Sequence, residues 1–255
     1  MTSKNFVTDA INLKSYNLSE SDKIVVMYSK EKGLIKGVAK GCKKPKSKLG
    51  AHMDLLVANK VMLFKGKNMD TICEAQGLNH FKNTRKDMDK LCYSMYVSEI
   101  VSNFGLEDDP CSKETYELLY KALDKISEAK NKKEILIGVI KFQLKIMEIS
   151  GFGVELDSCL CCKEQILEED MYFSSKMGGV FCKECSEHFG LKTKMHHKLR
   201  DFLLAMLQFD FTFESDYDKK ATDKVCDVCF GLLKDYVQTH CTKKFKSTQI
   251  LQEVN

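Results

Sequence analysis

The chain has 255 residues, 44% of them hydrophobic and 30% charged, which is the composition of a globular protein with a sizeable core. Its apolar runs are far too short to cross a membrane, and its opening lacks the charged-then-apolar layout of a secretion signal, so a cytoplasmic protein is expected. Twelve cysteines in such a reducing setting point to metal binding, redox chemistry or burial rather than disulfides.

Net charge is only +4, but residues 1–80 hold 14 Lys against 7 acidic side chains, whereas the rest of the chain is slightly acidic. A polyanion-binding module on a near-neutral body is the natural reading.

Residues 1–80 predict five strands: Phe6–Lys14, Lys23–Ser29, Leu34–Gly41, Leu55–Phe64 and Met69–Ala75. Ser19-Glu20-Ser21-Asp22, Glu31-Lys32-Gly33 and Lys65-Gly66-Lys67-Asn68 are the turns between them. Five short strands fit a small closed barrel, either an OB-fold or an SH3-like one. From about residue 85 the period becomes helical, with Met88, Leu91, Cys92 and Met95 on one face. Ser112 is placed to cap a helix carrying Tyr116, Leu119, Tyr120, Leu123 and Ile126. Ile135 to Ile149 is apolar on more than one side, as in a central helix, and stops at Gly151-Phe152-Gly153. Two further helices follow the cysteine segment, with Leu199, Phe202, Leu203 and Met206 on one, and Val225, Val228, Leu232 and Tyr236 on the other. Histidines 196 and 197 fall at a helix start. The reading is an α+β protein, with a β-barrel at 1–80 and a helical domain at 81–255 carrying a cysteine insertion at 158–186.

Cys159-x2-Cys162 and Cys182-x2-Cys185 have the spacing of two knuckles sharing one zinc ion. Two cysteines three apart on a tight turn aim at one point, and two such turns complete a tetrahedron. Gly178-Gly179 supplies the turn between them. Four thiolates leave no open coordination position, so the metal would be structural. Cys161 or His188 could replace one member of the set. Cys226 and Cys229 lie in a helical apolar stripe and are expected to be buried, although His240 and Cys241 leave a second metal site open. Cys42, Cys73, Cys92 and Cys111 read as core or incidental residues.

Lys30 to Lys48 contains eight lysines and one acid. Lys36, Lys40, Lys43, Lys44, Lys46 and Lys48 are the candidate phosphate contacts, mobile point charges suited to sequence-independent binding of nucleic-acid backbones. Tyr28 and Phe64 are candidate stacking platforms. The competing reading is a solvated loop that aids solubility, or one that grips an acidic protein partner in an interaction scaffold. A P-loop, a zinc deaminase signature, H-E-x-x-H and G-x-S-x-G are all missing, so no catalytic constellation is predicted. A zinc-dependent nucleic-acid enzyme would need an open metal position.

Several segments together resemble the RecO family of bacterial recombination mediators. They are Lys14-Ser15-Tyr16 through Glu20-Ser21-Asp22-Lys23-Ile24-Val25, Gly33, Val38-Ala39-Lys40-Gly41 with Ser47, Ile149 through Cys159, and Tyr236, His240 and Lys246-Ser247. Members commonly carry proline near Val154 and glycine where Lys163 stands. The resemblance implies an OB-fold followed by a helical domain with a zinc knuckle, its ligands at Cys159, Cys162, Cys182 and Cys185. It further implies a non-enzymatic protein at the nucleoid that binds single- and double-stranded DNA and anneals complementary strands. The implied partners are RecR and the single-stranded-DNA-binding protein, in loading the RecA recombinase.

Overall fold

The computed structural model describes residues 5–167, 169–191, 193–208, 211 and 216–254. Strands β1 (Asn5–Asn17), β2 (Lys23–Ser29), β3 (Gly33–Ala39), β4 (Ala58–Phe64) and β5 (Asp70–Asn79) close a barrel in the order β1-β2-β3-β5-β4. The β3–β5 pairing is parallel, through Gly37 with Asp70 and Val38 with Thr71, and the others are antiparallel. Strand order decides what strand count left open: this is the five-stranded Greek-key barrel of an OB-fold. β1 serves two partners, pairing with β4 over Asn5–Ile11 and with β2 over Ala10–Asn17, and its register shifts between Asn12 and Lys14. Such a bulge adds the twist that a strand needs to turn a barrel corner.

Period-two alternation builds the core. Ala10, Val25, Met27, Ile35, Ala39, Val61, Leu63 and Ile72 point inward, with Cys42 and Met53 joining them from the β3–β4 connection. One expectation fails on the outer face. Tyr28 is fully buried, and its hydroxyl donates to Asp109 Oδ2 at 2.7 Å. The stretch after the first helix lies along β3, where the Leu34 amide donates to Leu106 O and the Asp108 amide to Lys32 O. Tyr28 is therefore no stacking platform, whereas Phe64 remains exposed.

Helices α1 (Met88–Phe104), α2 (Ser112–Glu128) and α3 (Lys132–Ile149) form where helical spacing predicts them. The buried stripe of α1, however, runs through Cys92, Tyr93, Tyr96, Val97, Ile100 and Val101, and Met88 of the expected face is exposed. α1 and α3 are N-capped by Asp87 and Asn131, which accept from the Lys90 and Glu134 amides. At the start of α2 it is the Asp109 carboxylate that takes the Cys111 amide, at 2.8 Å. α3 ends in a Schellman pair of bonds, from the Phe152 amide to Met147 O and from the Gly151 amide to Glu148 O. Buried nearly all round, α3 nonetheless carries Lys141, whose Nζ meets Asp218 Oδ2 at 3.1 Å with the two side chains 5% and 6% exposed. Periodicity assigns a lysine to solvent; here a buried carboxylate partner offsets its desolvation.

The cysteine segment forms a sheet that local patterning does not predict, of β6 (Asp170–Ser174), β7 (Gly179–Phe181) and β8 (Lys194–His196) in the order β7-β6-β8. Around it run α4 (Lys183–His188), α5 (His197–Gln208), α6 (Asp216–Lys220) and α7 (Asp223–Thr239). The two histidines straddle the β8–α5 junction.

A last helix, α8 (Ser247–Val254), packs on α1. Glu99 of α1 accepts from the Lys246 and Ser247 amides and from the Ser247 hydroxyl, satisfying donors at the N-terminus of α8. Two compact units result: the barrel through Ser127 together with the tail from Lys246, and Glu128–Phe245. No helix among the described residues is long and apolar enough to cross a membrane.

Candidate metal knuckle and basic loop

Cys159 and Cys162 lie on a tight turn, closed by bonds from the Lys163 amide to Cys159 O and from the Cys159 amide to Glu164 O. Cys182 stands at the N-cap of α4 and Cys185 in its first turn. The β6–β7 hairpin delivers the second pair to the first, and the Leu160 amide donates to Val180 O across the gap. The hairpin turn requires Gly178: its φ is +77°, and an added Cβ would lie 2.7 Å from the hydroxyl of Tyr236. That hydroxyl donates to Phe152 O at 2.7 Å, so α7 holds both ends of the knuckle's base.

All four sulfurs lie within 4.8 Å of one another. Cys161 and His188 stand outside this group, which is the one set of three or more potential metal ligands found among the described residues. Cys226 and Cys229 are fully buried in α7, and burial pushes both thiols up, to about 11 and about 12. His240 packs its ring on Phe152 at 4.4 Å.

The donor set favours a dication. Burial raises the Cys159 thiol, but the amides of Cys182, Cys162 and Cys161 outweigh it and bring the thiol down to about 6. Cys162, Cys182 and Cys185 go the other way. Each has a lowering neighbour as its largest influence (the Glu164 amide, the Cys185 amide and the Cys182 thiol). Burial and other thiols of the cluster, Cys159 among them in every case, nevertheless carry all three upward. Four sulfurs this close ionise together only when a cation compensates them.

Lys163 closes the first turn at φ +64°, the left-handed region in which a Cβ is strained. Glycine, which lacks a Cβ, would take this conformation without the strain. Lys163→Gly is expected to stabilise the metal-loaded protein by about 1 kcal/mol. An unfolding midpoint that fails to rise would show the strain to be relieved elsewhere.

The basic loop leaves β3 after Ala39. Lys36, Lys40, Lys43, Lys44, Lys46 and Lys48 are all exposed. Lys36 Nζ lies 3.8 Å from Glu107, whereas the other five enter no ion pair among the described residues. By contrast Lys30 pairs with Glu117 at 3.1 Å, and Lys32 lies over the Phe6 ring. The lysine run therefore divides into a partnered stem and an uncompensated loop.

The loop is also tethered, which sequence reasoning missed. Asp22, in the β1–β2 turn, accepts the Gly41 amide at 2.7 Å, and Ser21 O accepts the Lys43 amide at 3.0 Å. Lys43 Nζ reaches Ser19 O at 3.2 Å. The Gly41 amide, with the Ser21 and Ser19 hydroxyls and the Lys40 charge, holds the Asp22 carboxyl below its usual range despite some desolvation. In the sequence Asp22 is an ordinary turn former, because its partner Gly41 lies beyond both β2 and β3.

An OB barrel with an exposed basic loop, in a chain with a separate four-cysteine cluster able to hold a metal ion, defines a cysteine-knuckle OB-fold protein. Two family models match along the chain, Recombination protein O N terminal over residues 1–81 and Recombination protein O C terminal over residues 85–249. The chain belongs to the RecO family, and its role lies in DNA repair and recombination. It is 29% identical to the DNA repair protein RecO of Desulforamulus reducens, over 98% of this chain and 95% of that one. It is 30% identical to that of Caldanaerobacter subterraneus subsp. tengcongensis, over 97% and 98%. With the RecO of Acetivibrio thermocellus it shares 32% identity over 71% and 70% of the two chains.

Proposed function

We propose that this protein is a non-enzymatic recombination mediator of the cytoplasm and nucleoid, which binds single- and double-stranded DNA and anneals complementary strands. With RecR and the single-stranded-DNA-binding protein it helps load RecA. The barrel of residues 1–80 is the DNA-binding domain, and one structural zinc ion on Cys159, Cys162, Cys182 and Cys185 staples the unit Glu128–Phe245. Family membership supports this reading, and the observation that carries it is the exposed loop with Lys40, Lys43, Lys44, Lys46 and Lys48 free of ion pairs among the described residues. Cationic side chains that bring two strands to one surface lower the repulsion between their phosphates, which is the barrier to pairing. In zinc the four thiolates find a closed tetrahedral partner that fixes the knuckle without offering a reactive position.

Fluorescence anisotropy with a labelled oligonucleotide tests the reading. With six lysines on phosphates, affinity for single strands is expected to fall about 300-fold between ~50 and ~200 mM salt. Binding that is undetectable at low salt, or insensitive to it, would remove the DNA role.

A further inference from the structure

The tether under the basic loop sets two physical effects against each other. Asp22 is an acid close to the first loop lysine, Lys40, in a turn that also carries Glu20. Judged by charge alone it opposes a polyanion, and removing it should tighten binding. Its contacts argue the opposite. Oδ1 receives the amide of Gly41, two residues past the end of β3 and at φ +64°, at 2.7 Å. The same turn takes both the amide and the Nζ of Lys43, through Ser21 O and Ser19 O. Ser19 Oγ in turn accepts the Ser21 and Asp22 amides, so the turn is itself internally braced. Downstream, the Lys44 amide returns to Gly41 O and the Ser47 amide to Lys44 O. The start of the loop is thus held by the β1–β2 turn on one side and by Cys42, buried in the barrel core, on the other.

We propose that Asp22 is a positioning residue for nucleic-acid phosphates: by fixing Gly41 and, with Ser19 and Ser21, Lys43, it pre-orders the loop lysines on the barrel. A loop ordered before binding loses less entropy when it meets an extended phosphate backbone, and several long lysines share that saving. The benefit exceeds the unfavourable charge of a single half-buried carboxylate, which salt screens in part. This inference rests on the DNA-binding reading of the same loop.

The test compares wild type, Asp22→Ala and Asp22→Asn by anisotropy on one oligonucleotide at ~50 mM salt, with thermal melts alongside. The asparagine variant keeps an acceptor for the Gly41 amide and loses the charge; the alanine variant loses both. Positioning predicts roughly tenfold weaker binding for Asp22→Ala. It also predicts wild-type or tighter binding for Asp22→Asn, and faster amide exchange at Gly41 and Lys43 in the alanine variant alone. Charge predicts that both variants tighten. If Asp22→Ala binds as well as or better than wild type, the inference is wrong while the DNA reading stands. If wild type itself fails to bind, both fall. Should the alanine variant not fold, Asp22→Ser, too short to reach Gly41, takes its place under the same criteria.

Discussion

Replacing Lys43, Lys44, Lys46 and Lys48 together by Glu is expected to weaken oligonucleotide binding by at least about 100-fold at low salt. It should also reduce the salt slope on single strands from roughly −4 to near −1.5. The slope is the more telling quantity, because it counts the phosphate contacts that remain. Lys36 and Lys40 lie outside the substitution, and two contacts at about 0.7 each account for the residual dependence. The fold should not suffer. All four side chains are exposed, and none is in an ion pair among the described residues, so each change is expected to move stability by no more than about 0.5 kcal/mol. A matched melt of the variant and the wild type checks this directly. Full affinity in the variant would mean that the loop serves something else, an acidic protein partner being the chemistry that fits it.

The second large effect concerns the knuckle. Cys159→Ser removes a fully buried thiol of the proposed zinc site, whose sulfur also receives the Cys182 amide at 3.4 Å. Structural zinc on four thiolates contributes on the order of 10–16 kcal/mol of apparent binding free energy coupled to folding. Losing one ligand should therefore leave less than one equivalent of zinc and unfold the knuckle at ordinary temperatures, with a chelator acting on the wild type in the same direction. Cys226→Ser supplies the contrast: it alters a buried packing position in α7 and should retain one full equivalent. Metal analysis of the three proteins decides the matter, and two equivalents in wild type would reinstate a second site around Cys226 and Cys229. Loading also displaces protons, since Cys162, Cys182 and Cys185 are held upward and remain protonated at neutral pH in the absence of metal. Zinc affinity is accordingly expected to weaken as pH falls.

Local signals in the chain carried much of this. Period-two alternation located the five barrel strands, because a half-buried pleated strand must alternate. Helical spacing located α1, α2, α3, α5 and α7. The two Cys-x2-Cys pairs marked the knuckle, since the requirement for two sulfurs aimed at one ion is itself local. The lysine excess in residues 1–80 located the basic loop in the same way.

Other features depend on partners distant in sequence. OB topology rests on the parallel closure of β3 on β5, strands that the basic loop and β4 separate along the chain. Tyr28 reads as an exposed aromatic until Asp109, from beyond the first helix, takes its hydroxyl. Nothing next to Lys141 or Ser247 along the chain announces Asp218 or Glu99, the distant carboxylates that hold them. Asp22 reads as a turn residue until Gly41 is folded back onto it. Periodicity and motif spacing report what a residue's immediate neighbours demand of it. A hydrogen bond or ion pair between segments is set by where the folded chain brings them, and tertiary structure alone decides that.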